Sequence, residues 1–572
     1  MSRVSIPIVV LAVLVSAGCA RSMATSTSMR PFSVVETGIP ELQKALAKGR
    51  ITSRQLVVEY LSRIALYEDQ VKAIVTVNPK VLEEAEARDR ERATGRIRGP
   101  LHGIPIALKD NIHTTDMPTT GGALAFDGYR PPYEATVTRL LREAGAIIIA
   151  KTVMTELANW VAGAPTPMPA NYGSVFGHGF NPYDPRREPR EGMNDGRPAL
   201  ATGGSSSGIG TTASFWAASV GTETSGSILS PSNLMGLAAI KPTVGRISRY
   251  GIIPIVADQD TAGPMARTVT DAAIHMGVLE TAVPDPYDAA TRRCKAPANR
   301  DYTPHLKRDG LKGARIGIPR AFFYEKITPP GETATRGGLN DVQAAAMADA
   351  IEILRREGAV IVDPVVLPSV ADPDPENNYT TFPICAGAPQ AKGADGKCTI
   401  VLKYGMKRDF NAWLRSLGPS APVKTLTELR NFNQAIPSRQ ALKYGQSRLD
   451  ISDEIDLEAD RARYDADRAK DIALGGARGI DAALNEHQLD ALLFPAGTGA
   501  DIAARPGYPT VMVPFGLIAH VQTPAFPDAF QARATPFGVS FAGTACSEPR
   551  LLELGYSFEQ ASKRRVPPPS TP

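Results

Sequence analysis

Two short stretches contain the residues best suited to chemistry. "ATGGSSSGIGTTAS" (201 to 214) sets three serines between glycines, and "GTETSGSILSPS" (221 to 232) carries Ser225 and Ser227 in a second glycine turn. A serine hydroxyl is a weak nucleophile until a neighbouring base draws off its proton. Gly204 to Gly208 matches the G-x-S-x-G elbow with Ser206 at its centre. That elbow requires an apolar strand just before it and a downstream His, whereas "DGRPALAT" precedes it and His275, His305, His487 and His520 stand in no telling context. A phosphate cradle would need a lysine within the glycine stretch, and there is none. A third option uses lysine as the base, which requires an uncharged amine and therefore burial. Lys109 ends the apolar run "GIPIALK" and arrives from the interior; its ordinary alternatives are snorkelling at a strand end or pairing with Asp110.

These residues need a scaffold. "GIPIALK" (103 to 109) and "GAIIIAK" (145 to 151) read as buried strands joined by the helical "EATVTRLLREAG", the pattern of a βαβ unit. "LDALLFPAG" (489 to 497), "TVMVPFG" (510 to 516) and "PFGVSFAG" (536 to 543) are further buried strands, and a closing helix occupies 547 to 562. Thr52 and Gln55 predict a capping box ahead of a helix whose buried face holds Leu56, Val57, Tyr60, Leu61 and Ile64. Residues 441 to 485 are charged and helical and read as a solvated surface pair. Apolar strands at both ends of the chain predict one interdependent domain over 37 to 565, followed by a Pro-rich tail at 566 to 572. The expected fold is a single α/β/α domain with a central mixed sheet surrounded by helices.

Composition narrows the class. With 43% hydrophobic and 21% charged residues the 572-residue chain is globular. A net charge of +4 and the lack of a basic stripe with interleaved aromatics argue against nucleic acid. The run "VSIPIVVLAVLV" after Arg3, followed by "SAGCARS", has the form of an export leader over 1 to 19, with a Ser/Thr/Met-rich linker over 20 to 36. Cys19 after "SAG" resembles a lipoprotein box, so a lipid anchor at Cys19 and a periplasmic location are expected. An oxidising compartment permits disulfides among Cys294, Cys385, Cys398 and Cys546; these four allow three pairings, one of which closes the short loop 385 to 398. No Cys or His spacing suits zinc, and neither metal nor cofactor is expected.

Taken in order, "GIPIALKDNI" (103 to 112), "GGSSSG" (203 to 208) and "GTETSGSILSPS" resemble the signature blocks of the amidase signature family. The likeness extends to "KTVMTELAN" (151 to 159), "GLAAIKPTVGRISRYGIIP" (236 to 254) and "DTAGPMARTVTDAA" (260 to 273), and is weakest over about 285 to 440. The resemblance implies amide hydrolysis by a Ser-Ser-Lys triad. Ser227 is the implied nucleophile, Ser205 the bridging serine on a cis peptide, and Lys109 the base. Backbone amides of Thr224, Ser225, Gly226 and Ser227 would receive the oxyanion, and Ala158 would offer a backbone contact to a small-molecule or peptide amide. The wording is nearest to peptide amidase-like members; an export leader argues against the family's role in tRNA-linked amidation. Two departures stand out. Ser205 and Ser227 are 22 residues apart, about two fewer than the family pattern, which removes roughly half a helical turn between them. "GSIL" also replaces the commoner "GSIR". The shorter spacing keeps open a catalytically weakened envelope scaffold of the same fold, and an esterase is a further alternative.

Overall fold

The computed structural model describes residues 32–387, 395–436 and 440–572. The leader, Cys19 and most of the linker lie outside the described residues. One compact unit runs from Val34 to Pro572. It begins earlier than position 37, because Val34 is buried and the Glu36 amide donates to Ser214 Oγ. The tail is also packed: Tyr183 donates to the Val566 carbonyl, and Arg63 donates to the carbonyls of Thr571 and Pro572.

The centre is an eleven-stranded mixed sheet. Its strands, in chain order, are β1 (Ile74–Val77), β2 (Pro105–Lys109), β3 (Ile147–Thr152), β4 (Ala218–Glu223), β5 (Ala238–Lys241), β6 (Thr261–Ala266), β7 (Arg315–Gly317), β8 (Val360–Val362), β9 (Ala491–Pro495), β10 (Thr510–Ile518) and β11 (Thr535–Ala542). Across the sheet the order is β1-β3-β2-β4-β6-β5-β10-β11-β9-β7-β8. β2 pairs in parallel with β3 on one side and β4 on the other; antiparallel pairs fill the middle, and β9, β7 and β8 are parallel again. Parallel neighbours need a crossover. Helix Thr136–Glu143 supplies the one between β2 and β3, as the apolar spacing of that segment predicts. Every residue of β2, β3 and β4 is buried, which explains their apolar and small residues and leaves the charged Lys109, Lys151 and Glu223 near their C-terminal ends in the interior.

Helix Ser53–Val71 opens on the predicted box: Gln55 N donates to Thr52 Oγ1 at 3.1 Å, and Thr52 N to Gln55 Oε1 at 2.9 Å. Helices Val401–Ser416, Leu426–Ala435 and Ser447–Asp453 form a second apolar cluster with Phe126, Trp160 and Tyr172. This cluster builds one wall beside the turn at 157–159. The charged segment 441 to 485 is more than a solvated pair. Its inner face buries Tyr464, Asp467 and Asp471, and these acids are held by partners: Ile400 N donates to Asp467 Oδ2, while Thr399 Oγ1 and Arg505 donate to Asp471. Charge along a helix marked the outer face and concealed the inner one. The cysteines pair as Cys294–Cys546 and Cys385–Cys398.

Candidate active site

Lys109 is the last residue of β2, and its side chain is fully buried. Its Nζ donates to Thr222 Oγ1 at 2.8 Å and to the Thr222 carbonyl at 3.1 Å, both on neighbouring β4. Asp110 is not its partner; that carboxylate pairs with Lys151 at 3.0 Å in a separate buried site. Burial pushes the Lys109 ammonium down to about 7, with Asp260 and Glu223 acting in the opposite direction. A substantial fraction of the amine is therefore neutral near pH 7 and able to accept a proton.

Ser205 meets the same residue. Its Oγ donates to Thr222 O at 2.8 Å and accepts from Thr222 N at 3.2 Å. Lys109 Nζ and Ser205 Oγ thus converge on one carbonyl oxygen, and Thr222 is the residue that joins them. It was not singled out from the sequence, although it stands inside the quoted "GTET"; a mid-strand threonine gives no outward sign of being a hub. Asn111 Nδ2 also donates to Thr222 Oγ1, at 3.0 Å.

Glycines bring the two serine turns together. A Cβ on Gly204 would lie 2.4 Å from Ser227 Oγ, and one on Gly203, whose φ is +72°, would lie 2.6 Å from Pro231 N. A Cβ on Gly221 would lie 3.2 Å from Ser205 Oγ. The Ser227 hydroxyl accordingly rests against Gly204, next in chain to Ser205, and has no hydrogen-bond partner among the described residues. The helix Ser207–Thr212 and strand β4 lie between the two serines.

The expected cis peptide at Ser205 is absent: the cis bonds among the described residues all precede proline, at Pro165, Pro364 and Pro524. The Ser205 hydroxyl bonds to Thr222, and no hydrogen bond links it to Lys109 or Ser227 among the described residues. A relay through all three requires that hydroxyl to exchange its Thr222 partner for Lys109 Nζ. Ser206, centre of the elbow pattern, is buried, and its hydroxyl donates to Gly203 O at 3.5 Å with no His among its hydrogen-bond partners.

Three carboxylates grip the turn at 224 to 229. Glu223 Oε2 accepts from Ile228 N at 2.7 Å and Leu229 N at 2.9 Å. Thr224 Oγ1 donates to Asp260, whose other oxygen accepts from Ile255 N and Val256 N, each at 2.9 Å. Ser225 Oγ donates to Asp501 Oδ1 at 2.9 Å. Burial raises Asp260 to about 7 against the hydrogen bonds from Thr224 and Ile255. Gly226, at φ +97°, turns the chain between these anchors. The amides of Ser225, Gly226 and Ser227 serve no backbone acceptor among the described residues, so they are free to receive an anion.

Leu157, Ala158 and Asn159 follow one another with positive φ (42°, 55° and 73°). This left-handed run places Ala158 in the lining of a small cavity with Asn111, Thr222, Thr224 and Asp260. The Ala158 amide already donates to Thr155 O at 2.9 Å, which leaves its carbonyl for a ligand. Glu156, which anchors the run by accepting from Ser174 N at 2.8 Å, is pushed up to about 8 by burial. No group of three His, Cys, Asp or Glu side chains suited to a metal occurs among the described residues.

Comparison with known proteins points the same way. A family model described as Amidase matches residues 55–552. A probable amidase of Arabidopsis thaliana is 31% identical over 562 residues, covering 97% of this chain and 95% of the relative. The native peptide amidase of Stenotrophomonas maltophilia superposes with a TM-score of 0.76 at 36% identity, over 93% of this chain and 98% of that one. The peptide amidase PAM in complex with the competitive inhibitor chymostatin gives 0.76 at 36% identity, over 93% and 99%.

Proposed function

Because this chain belongs to the amidase family and is an amide hydrolase, we propose that it cleaves carboxylic or peptide amides through Ser227, Ser205 and Lys109. The observation that carries this reading is the convergence of Lys109 Nζ and Ser205 Oγ on Thr222 O, with Ser227 Oγ against Gly204. Neutral Lys109 takes the proton of Ser205 as Ser205 takes that of Ser227. Ser227 Oγ bonds to the amide carbon, and the carbonyl π pair moves to oxygen. The amides of Ser225, Gly226 and Ser227 receive that oxyanion, each donor of this kind being worth about 2.7 to 4 kcal/mol. Collapse breaks the C–N bond; the proton passes back through Ser205 to the nitrogen, which leaves as ammonia or amine. Water then attacks the acyl-enzyme, giving its proton along the same path and releasing the acid.

A peptide bearing a C-terminal amide is the substrate class favoured by the likeness to the two peptide amidase structures. The decisive experiment screens peptide amides, aryl amides and esters against wild type, Lys109→Ala and Ser227→Ala, alongside labelling by a fluorophosphonate. Loss of turnover in both variants and of labelling in Ser227→Ala is expected. Equal hydrolysis by all three would remove the triad. Esters sharing the acyl group should also react, since they form the same acyl-enzyme.

We further propose that the protein is exported and anchored through Cys19. The leader sequence supports this, and two disulfides suit an oxidising compartment. Mass spectrometry of the native protein should find cleavage before Cys19 with lipid on that residue; an intact leader would refute it.

A further inference from the structure

The turn that carries Ser227 is gripped on one side by a residue almost 280 positions away in sequence. Asp501 lies in the short helix Ala500–Ala504, after β9, and accepts from Ser225 Oγ at 2.9 Å. Its second oxygen accepts from Tyr379 OH at 2.7 Å and Arg505 Nη2 at 3.2 Å. Arg505 is itself buried, donates to Asp471 at 3.1 Å and to the Phe382 carbonyl at 2.8 Å, and stacks over the Tyr379 ring at 4.6 Å. Asp471 accepts from Thr399, the residue next to Cys398. A continuous polar chain therefore runs from the turn to the region closed by the Cys385–Cys398 bridge. Asp501 is held from behind on one oxygen and presents the other to Ser225 alone among the described residues.

Resting on the Ser227 reading above, we propose that Asp501 is a positioning residue for amide hydrolysis: through Ser225 it fixes the turn whose amides receive the oxyanion. A hydroxyl whose partner is held by Tyr379 and Arg505 is kept in one orientation, and Ser225 contributes its own amide to the anion site. Freedom of about 1 Å at such donors costs about 100-fold in rate. The effect falls on the transition state, because the ground-state carbonyl gains less from these donors than the oxyanion does.

The test compares Ser225→Ala, Asp501→Ala, Asp501→Asn and the double Ser225→Ala/Asp501→Ala, reading kcat and KM on a peptide amide. Ser225→Ala and Asp501→Ala should each lower kcat by about 10- to 100-fold with KM changed less than about threefold. Asp501→Asn, whose Oδ1 still accepts from Ser225, should retain a larger share of kcat. The double variant should be no slower than the worse single one, since both remove one hydrogen bond. Full kcat in Ser225→Ala overturns the proposal, as does a double variant whose losses multiply. Should Asp501→Ala fail to fold, Ser225→Ala and Asp501→Asn decide the matter by the same criteria. Failure of the Ser227 reading would show separately, as wild-type turnover in Ser227→Ala.

Discussion

At the scale of single residues, Lys109 is the most informative. Its folded pKa of about 7 against an ordinary 10.5 means that, between those values, the unfolded chain binds a proton the folded one does not. Stability therefore rises with pH across that window, and the cost of burying the amine is fully present at and below pH 7. Lys109→Met should abolish turnover while raising the unfolding free energy by roughly a few kcal/mol at pH 7, since each tenfold change in proton affinity is worth ~1.4 kcal/mol. That gain should fade as pH approaches 10, as followed by urea denaturation across a pH series. In the wild type, kcat/KM should climb through an acid limb near pH 7, because the base must be uncharged. The Asp260 carboxylate favours the charged lysine, so Asp260→Asn should move this limb to lower pH. Gly204→Ala is a steric test: a methyl 2.4 Å from Ser227 Oγ should eliminate fluorophosphonate labelling while circular dichroism stays native.

At the scale of elements, strands and helices anchor the turn that carries the nucleophile through Glu223, Asp260 and Asp501. The strands at β2, β3, β9, β10 and β11 were legible from their apolar runs, since a strand buried on both faces is mostly apolar. The helix at Ser53–Val71 was legible from its box and its buried face. Thr52→Ala should cost about 1 kcal/mol of stability and leave kcat unaltered, as read from thermal melts and steady-state rates. The inward acids of 461–472 were not legible. Asp467 and Asp471 look like any other charge on a polar helix until the Ile400 amide, Thr399 and Arg505 are found facing them. The same limit applies to Thr222, Asp260 and Asp501, whose importance lies in what they touch.

At the scale of the whole molecule, one of the two disulfides ties distant regions together while the other closes a short loop. Cys294–Cys546 spans 252 residues, linking the segment after helix Val269–Leu279 to the loop before the closing helix Glu548–Ser562. Replacing this pair with serine should lower stability by about 2 to 4 kcal/mol with Ser227 labelling retained, as measured by the denaturant midpoint. Pairing of this kind was beyond the sequence, where four cysteines permit three connectivities. Local order is written in nearest neighbours along the chain. Apolar periodicity, capping residues and glycine turns therefore determined the strands and helices, and the resemblance to the amidase signature blocks singled out Lys109, Ser205 and Ser227. Folding alone decided that Thr222 would join base and bridge, that the Ser205 hydroxyl would bond to that threonine, and that Asp501 would reach Ser225. Those contacts are made by residues far apart in sequence, and their geometry is set only when the sheet and its surrounding helices close around them.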